Sequence, residues 1–269
     1  MNVFDIETGP LPWHLIEKTL PPFDEEKAVP HPGEFDESSV KLGRLSDPVK
    51  IKAKMDAARD QHNGTINGLA RLRADARNKW QADAMNKAAL SALTGQVKAI
   101  GVKNTENNVV IIGAVDAMGV DDVLVYDFDG CKFNYQACSS ELELINWFWG
   151  IMGNMPGAWV GHNIHGFDLP FLMRRSWLHG VSVPSWLKGR YFNDRLIDTM
   201  ALWNCGGRDY VKLDAISTFF GGPSKPDDCT GADFARLFDN GGEDRIAALC
   251  YLAGDLEMTQ VVAESMGII

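Results

Sequence analysis

The chain has 269 residues, 45% hydrophobic and 23% charged, which is too long for a disulfide-stapled miniprotein and too apolar for a disordered chain. Its 26 Lys and Arg against 36 Asp and Glu give a formal charge of −10, which at bulk level argues against a nucleic-acid partner, since phosphate binding leaves a basic footprint. Five scattered cysteines, Cys131, Cys138, Cys205, Cys229 and Cys250, form no CxxC pair and read as reduced thiols of a cytoplasmic protein without a structural zinc site. No run approaches the roughly 18 apolar residues of a membrane span, and the opening MNVFDIE is strand-like rather than a signal peptide, so no membrane partner is expected.

In chain order, Val3 to Glu7 alternates like a half-buried strand, with Phe4 and Ile6 on one face and Val3, Asp5 and Glu7 on the other. Pro10, Pro12, Pro21 and Pro22 then end regular structure, and an extended surface loop is expected to about Ser39. From Asp47-Pro48, a good helix start, the pattern turns helical to Leu93, with Ile66, Leu69, Arg73, Ala76 and Trp80 at three- and four-residue steps. His62-Asn63-Gly64 suggests a turn, so this stretch is expected to form an antiparallel helical hairpin. Strand signals resume at Val97 to Lys103, Asn108 to Val115 and Val123 to Phe128. Ser140 with Glu143 makes a capping box that opens a helix through Trp147, Phe148 and Trp149, whose rings read as core. Ala158 to Gly161 is a short strand, a helix follows from Leu169 to His179, and smaller elements lie around Asp198 and Leu213 to Phe220. The last helix is expected from Glu243 to Met266. Together these imply an α/β fold with a mixed sheet.

Three acidic segments stand out by their settings. Asp5 and Glu7, two apart on a strand, put both carboxylates on one face, which costs energy unless a cation sits between them. A lone DxE is more often a solvent-facing strand edge. Asp168 falls where the strand ending at Gly161 passes through a polar turn into a helix, near the N-cap position, where a plain capping role would also account for it. Tyr251 and Asp255 are i and i+4 on the last helix and share one face.

Taken together, a strand DxE in Phe4-Asp5-Ile6-Glu7-Thr8, the run Gly-His-Asn-Ile-His-Gly-Phe-Asp-Leu-Pro-Phe-Leu from Gly161 to Leu172, and a late Y-x-x-x-D resemble the three motifs of DnaQ-like, DEDD-type 3′–5′ exonucleases. The position five before the last aspartate is Cys250, not the histidine of the DEDDh branch, and Tyr251 stands four before it, so the chain looks like the DEDDy branch. Its best resemblance is to predicted exonucleases related to the exonuclease domain of family B DNA polymerases. It extends through Asp198-Thr199-Met200 and Leu213-Asp214-Ala215-Ile216, and covers residues 1–10 and 95–266. It implies a ribonuclease H-like mixed sheet flanked by helices, and a single exonuclease domain over residues 1–269 with a loop and helical-hairpin insertion at 11–94. It also implies that Asp5, Glu7, Asp168 and Asp255 hold two divalent cations, Mg²⁺ or Mn²⁺, with Tyr251 as the catalytic tyrosine. Asn163 and Phe167, flanking the middle motif, are candidate substrate contacts, although a turn-stabilising role serves Asn163 equally well. His162 and His165 read as turn polarity, and Asp198 as a residue near the site that is not a ligand.

The charge is uneven. Residues 41–103 hold 13 Lys and Arg against five Asp and Glu, an excess of eight, and the remainder carries −18. Within this stretch, Lys50/Lys54 and Arg73/Arg77 are i,i+4 pairs, each along one helix face. Either this is a solvated helix surface or it is a clamp for the phosphates of a single strand. The expected partner is thus a nucleic acid, a single-stranded DNA 3′ end first and RNA as the alternative, or the fold serves as a non-catalytic binding module. Outside the nuclease-like segments no polymerase-sized remainder exists, so a proofreading role would need a separate polymerase.

Overall fold

The computed structural model describes residues 1–116, 124–128, 130–187, 194–207, 209–225 and 230–268. It contains β1 (Asn2–Pro10), α1 (Trp13–Ile16), α2 (Glu25–Ala28), α3 (Pro48–Ala89), β2 (Gly95–Asn104), β3 (Val109–Val115), β4 (Leu124–Phe128), β5 (Cys131–Cys138), α4 (Glu141–Asn154), β6 (Trp159–Gly161), α5 (Asp168–Leu178), β7 (Leu196–Asp198), α6 (Thr199–Trp203), α7 (Leu213–Phe219), α8 (Gly231–Asn240) and α9 (Gly242–Ser265). Two units result: Met1–Trp13 with Asn86–Ile269, and His14–Met85.

The first unit is built on a seven-stranded sheet in the order β4-β5-β3-β2-β1-β6-β7. The β1–β2, β2–β3 and β4–β5 pairs are antiparallel, and β3–β5, β1–β6 and β6–β7 are parallel, which gives the mixed sheet expected of the α/β class. Strand β1 has the predicted alternation. Phe4 and Ile6 pack with Ile145, Phe148 and Trp159 on the side covered by α4 and α5, while Val3 packs with Leu256 on the side of α9. Each face carries a glycine under a helix. A Cβ on Gly101 would lie 2.9 Å from Leu256 Cδ1, and one on Gly113 would lie 2.5 Å from the Trp147 ring, so the missing side chains let the helices seat closely.

Helix α9 is long and apolar enough to cross a bilayer by length and composition alone. Here it is a core helix, burying Leu249, Leu252, Leu256 and Val262. Helix α4 is capped much as expected: Ser140 Oγ accepts from Glu143 N–H at 3.3 Å, while the Glu143 carboxylate takes the Ser139 N–H at 2.7 Å. Its Phe148 and Trp149 are core residues, with Trp147 packed against them. Strand β5 and helix α8 were not anticipated. The predicted strand start at Val123 and the thiol Cys229 lie outside the described residues.

In the second unit the expected hairpin is replaced by a single helix. α3 runs unbroken for 42 residues through His62, Asn63 and Gly64. An Asn-Gly pair makes a tight turn between strands, and without proline the glycine costs only about 1 kcal/mol inside a helix. The second arm is the preceding segment, which runs antiparallel along α3 as a strap. Phe23 packs on Trp80, Glu25 and Glu26 pair with Arg77 and Arg73, and the Val29 carbonyl accepts from Arg73 Nε at 3.1 Å. Further along, Phe35 packs on His62, Glu37 pairs with Arg59, and the Lys41 carbonyl accepts from Lys54 Nζ at 2.6 Å. Between its helical turns at α1, α2 and residues 37–39 this strap is the expected loop. The strap contacts stabilise a helix that has no continuous apolar stripe of its own.

Candidate active site

Asp5, Glu7 and Asp255 each offer a carboxylate oxygen within 4.8 Å of the others. Three elements bring this about. Strand β1 sits inside the sheet and projects Asp5 and Glu7 on the face that α9 covers, and close seating of α9 over Gly101, the register partner of Asp5, carries Asp255 to them. The register of β1 against β2 shifts between Glu7 and Thr8, leaving Lys98 as the extra residue of a bulge, a device that commonly re-aims side chains beside a site.

Asp168 comes from the other side of β1. Strand β6 pairs with β1 only at Asn2 and Val3, so the Ile6 N–H has no strand partner, and Asp168 Oδ1 accepts it at 3.2 Å. Asp168 is therefore not the N-cap of α5 but its first residue; Phe167 holds the cap position without a side-chain bond. The capping work is done inside the turn. Asn163 adopts φ 63°, and its carbonyl accepts from the N–H groups of Gly166 and Phe167 at 3.0 and 2.9 Å. A Cβ on Gly166 would lie 2.3 Å from Asn163 Oδ1, so a larger residue there would push the Asn163 amide aside. Asp198 closes the turn from β7 by accepting from Asn163 N and His165 N, both at 2.9 Å, and it also caps α6. Its oxygens thus hold the turn and the start of α6. His162 is fixed between the Val211 carbonyl (2.8 Å) and Thr199 Oγ1 (2.9 Å), and burial pulls its pKa down, so it serves as a neutral donor to Val211.

The four carboxylates open into one cleft of about 680 Å³, lined by Asp5, Glu7, Asp168, Tyr251 and Asp255 together with Asn163 and Phe167. Glu7, Asp168 and Asp255 are 8%, 3% and 6% exposed. Burial, followed by mutual repulsion with Asp168, Asp255 and Glu7, pushes Asp5 well above the usual carboxylate range. Glu7 is raised by burial and Asp255, and Asp255 by burial. Asp168 reaches about 7 because burial outweighs its bonds to backbone N–H groups. One oxygen of Asp255, Oδ1, is buried without a hydrogen-bond partner among the described residues. Three close carboxylates with an orphaned buried oxygen fit a hard divalent cation with oxygen ligands.

The sign of the resulting pH dependence follows directly. A carboxyl with a raised native pKa holds protons in the folded state that the unfolded chain has lost, so folding stability falls as pH rises through the interval between the two values. For Asp168 that interval runs from 3.8 to about 7. At about 1.4 kcal/mol per pKa unit the effect is on the order of 4 kcal/mol at most. Thermal melts of metal-free protein are expected to show a falling Tm between pH 5 and 7.5, and Asp168→Asn should flatten the slope. An unchanged slope would contradict the effect of burial on this carboxyl.

Lys225 was not foreseen from the sequence. Its ammonium donates to Asp255 Oδ2 at 2.7 Å and to the Tyr251 hydroxyl, and it lies 4.5 Å from the centre of the Tyr251 ring. Burial opposes this charge, but Asp255 more than compensates and the net pKa is raised. Tyr251 is raised as well, by burial and Asp255. Nothing in the local pattern around residue 225 marks it, since a lysine in a loop is ordinary. Lys50, Lys54, Arg73 and Arg77 belong to the second unit, whereas the residues named for the cleft belong to the first. Arg73, Arg77 and Lys54 are engaged by the strap, and Lys50 is exposed.

Residues 102–255, more than half of the chain, match the family described as predicted 3′–5′ exonucleases related to the exonuclease domain of PolB. The chain belongs to this family. Asp168, Tyr251 and Asp255 fall inside the matched stretch of the exonuclease family, and Asp5 and Glu7 precede it. Among solved structures, the family B DNA polymerase from the hyperthermophilic archaeon Pyrobaculum calidifontis is similar over 67% of this chain at 20% identity, with a TM-score of 0.49. The similarity covers 23% of that polymerase. No curated protein matches the sequence.

Proposed function

We propose that the first unit is a metal-dependent 3′–5′ exonuclease that hydrolyses phosphodiester bonds from the 3′ end of DNA, preferring a single strand, and releases 5′-mononucleotides in replication, recombination or repair. The observation that carries this reading is the meeting of Asp5, Glu7 and Asp255 within 4.8 Å, with Asp168 in the same cleft. Asp5, Glu7 and Asp255 would hold one Mg²⁺ or Mn²⁺, and Asp168 with Asp5 a second. Bound there, two such cations supply activation of water and neutralisation of the charge on the attacking and leaving oxygens.

The protein's own groups do the rest. With its pKa raised, Tyr251 keeps its proton, so the hydroxyl orients the attacking water by hydrogen bonding and does not act as a base. Phe167 and Asn163 form the wall beside Asp168, where the terminal nucleotide would rest. Lys212, also on the cleft, would face the phosphates.

The test is digestion of end-labelled single-stranded DNA, duplex DNA and RNA with Mg²⁺ or Mn²⁺. Shortening from the 3′ end, fastest on single-stranded DNA, is expected, and intact substrates under all conditions would refute the reading. Faster shortening of RNA would instead identify an exoribonuclease of the same chemistry. Tyr251→Phe should lower kcat roughly ten- to a hundredfold, the worth of an orienting hydrogen bond of about 1–3 kcal/mol, with Mn²⁺ affinity unchanged.

A further inference from the structure

Among the described residues, Lys225 is the one cation paired with the acidic trio. No described residue donates a hydrogen bond to the side chains of Asp5 or Glu7, and Asp255 has one oxygen on the ammonium and the other without a partner. The same ammonium engages the Tyr251 hydroxyl, the group assigned above to orienting water. We propose that Lys225 is a built-in counter-ion that holds the place of a divalent cation on Asp255, so that metal binding proceeds by displacing it and thereby frees Tyr251.

The chemistry favours this exchange. An ammonium brings one positive charge and directional N–H donors, so it satisfies Asp255 Oδ2 but leaves Oδ1, Asp5 and Glu7 uncompensated. A divalent cation brings two charges and accepts oxygens from several directions at once, which three convergent carboxylates require. The lysine stem is flexible and Lys225 lines the open cleft, so the head group can leave without moving the backbone. While the ammonium is in place, Tyr251 is latched to it; once displaced, the hydroxyl is available to water. Lys225 is in this sense a positioning residue, and it sets how readily the site loads.

The inference rests on the proposed metal site, and its test reads metal binding independently of nuclease activity. Mn²⁺ affinity is measured by calorimetry at one fixed pH for the intact chain and for Lys225→Met, Lys225→Gln and Lys225→Arg, together with melting curves with and without Mn²⁺. Removing the competing charge should tighten Mn²⁺ binding about tenfold in the Met and Gln variants, the worth of one charge-assisted hydrogen bond. It should also lower the Tm of the metal-free protein and enlarge the rise in Tm on adding Mn²⁺, while Lys225→Arg stays close to the parent. A structural role alone would lower both stability and metal affinity. Mn²⁺ affinity that is unchanged or weaker in both neutral variants, or absent from all four proteins, overturns the proposal. Tightened Mn²⁺ binding without digestion of any oligonucleotide would uphold it while refuting the exonuclease reading.

Discussion

Asp5→Asn is expected to abolish metal-dependent digestion while raising the thermal stability of the metal-free protein. The two effects share one cause. Asp5 is held far above its usual pKa by burial and by Asp168, Asp255 and Glu7, so its charge opposes folding until a cation arrives. Asparagine keeps the shape and removes the repulsion. It also removes the central ligand, and with several kcal/mol of charge stabilisation at stake the loss in kcat should be about 10³-fold or more. Asp255→Asn should be equally inactive, but without the gain in stability, because it deprives Lys225 of its ion-pair partner. The measurements are initial rates on a 3′-labelled strand and melting curves in chelator. Full activity in either variant would remove these carboxylates from the chemistry, and a destabilised Asp5→Asn protein would show that the repulsion is already relieved.

What could be read from the sequence was whatever depends on local periodicity. The period of two on β1 placed Phe4 and Ile6 in the core and Asp5 and Glu7 together, and the four-residue step on α9 placed Tyr251 beside Asp255. The remainder depends on contacts distant in the chain. For Asp168 a plain capping role competed with a place in the acidic set, and the sequence could not show that its oxygen is taken by the Ile6 N–H 162 residues away. The α3 strap was invisible because Glu25, Glu26 and Glu37 read as loop acidity until their arginine partners are seen. Helix α8 did carry a signal, the reciprocal Thr230–Asp233 capping box, and β5 carried the alternation Phe133, Tyr135, Ala137. Lys225 carried none, since its role exists only through Asp255 and Tyr251, 30 and 26 residues downstream. Bulk charge misled for a related reason: it averages a basic helix, three of whose arginines pair with acids of the strap, with a cleft where carboxylates cluster.

Arg175→Met should be strongly destabilising although it lies outside the cleft. Glu141, at the start of α4, is buried and accepts four hydrogen bonds. Arg175 on α5 approaches it from Nε at 2.9 Å and Nη2 at 2.5 Å, the Val97 N–H of β2 at 2.7 Å, and His179 at 2.7 Å. Arg175 Nη1 also bonds the Ala92 carbonyl at 3.1 Å. Despite burial, these donors hold the Glu141 carboxyl below its usual range. Removing the guanidinium leaves a buried carboxylate with too few donors, a loss of about 3–5 kcal/mol. In a chain of this size that lowers Tm by roughly 10 °C. The double variant Glu141→Gln/Arg175→Met removes both charges yet keeps an acceptor for Val97 N–H, and should recover much of the loss. Because Arg175 lies two turns along the helix that begins with Asp168, and ties that helix to the start of α4, activity at low temperature should fall far less than in Asp5→Asn, and should follow the folded fraction as temperature rises. Melting curves of the single and double variants decide the matter: equal losses in both would mean that α5 is held by its apolar packing and that the ion pair contributes little.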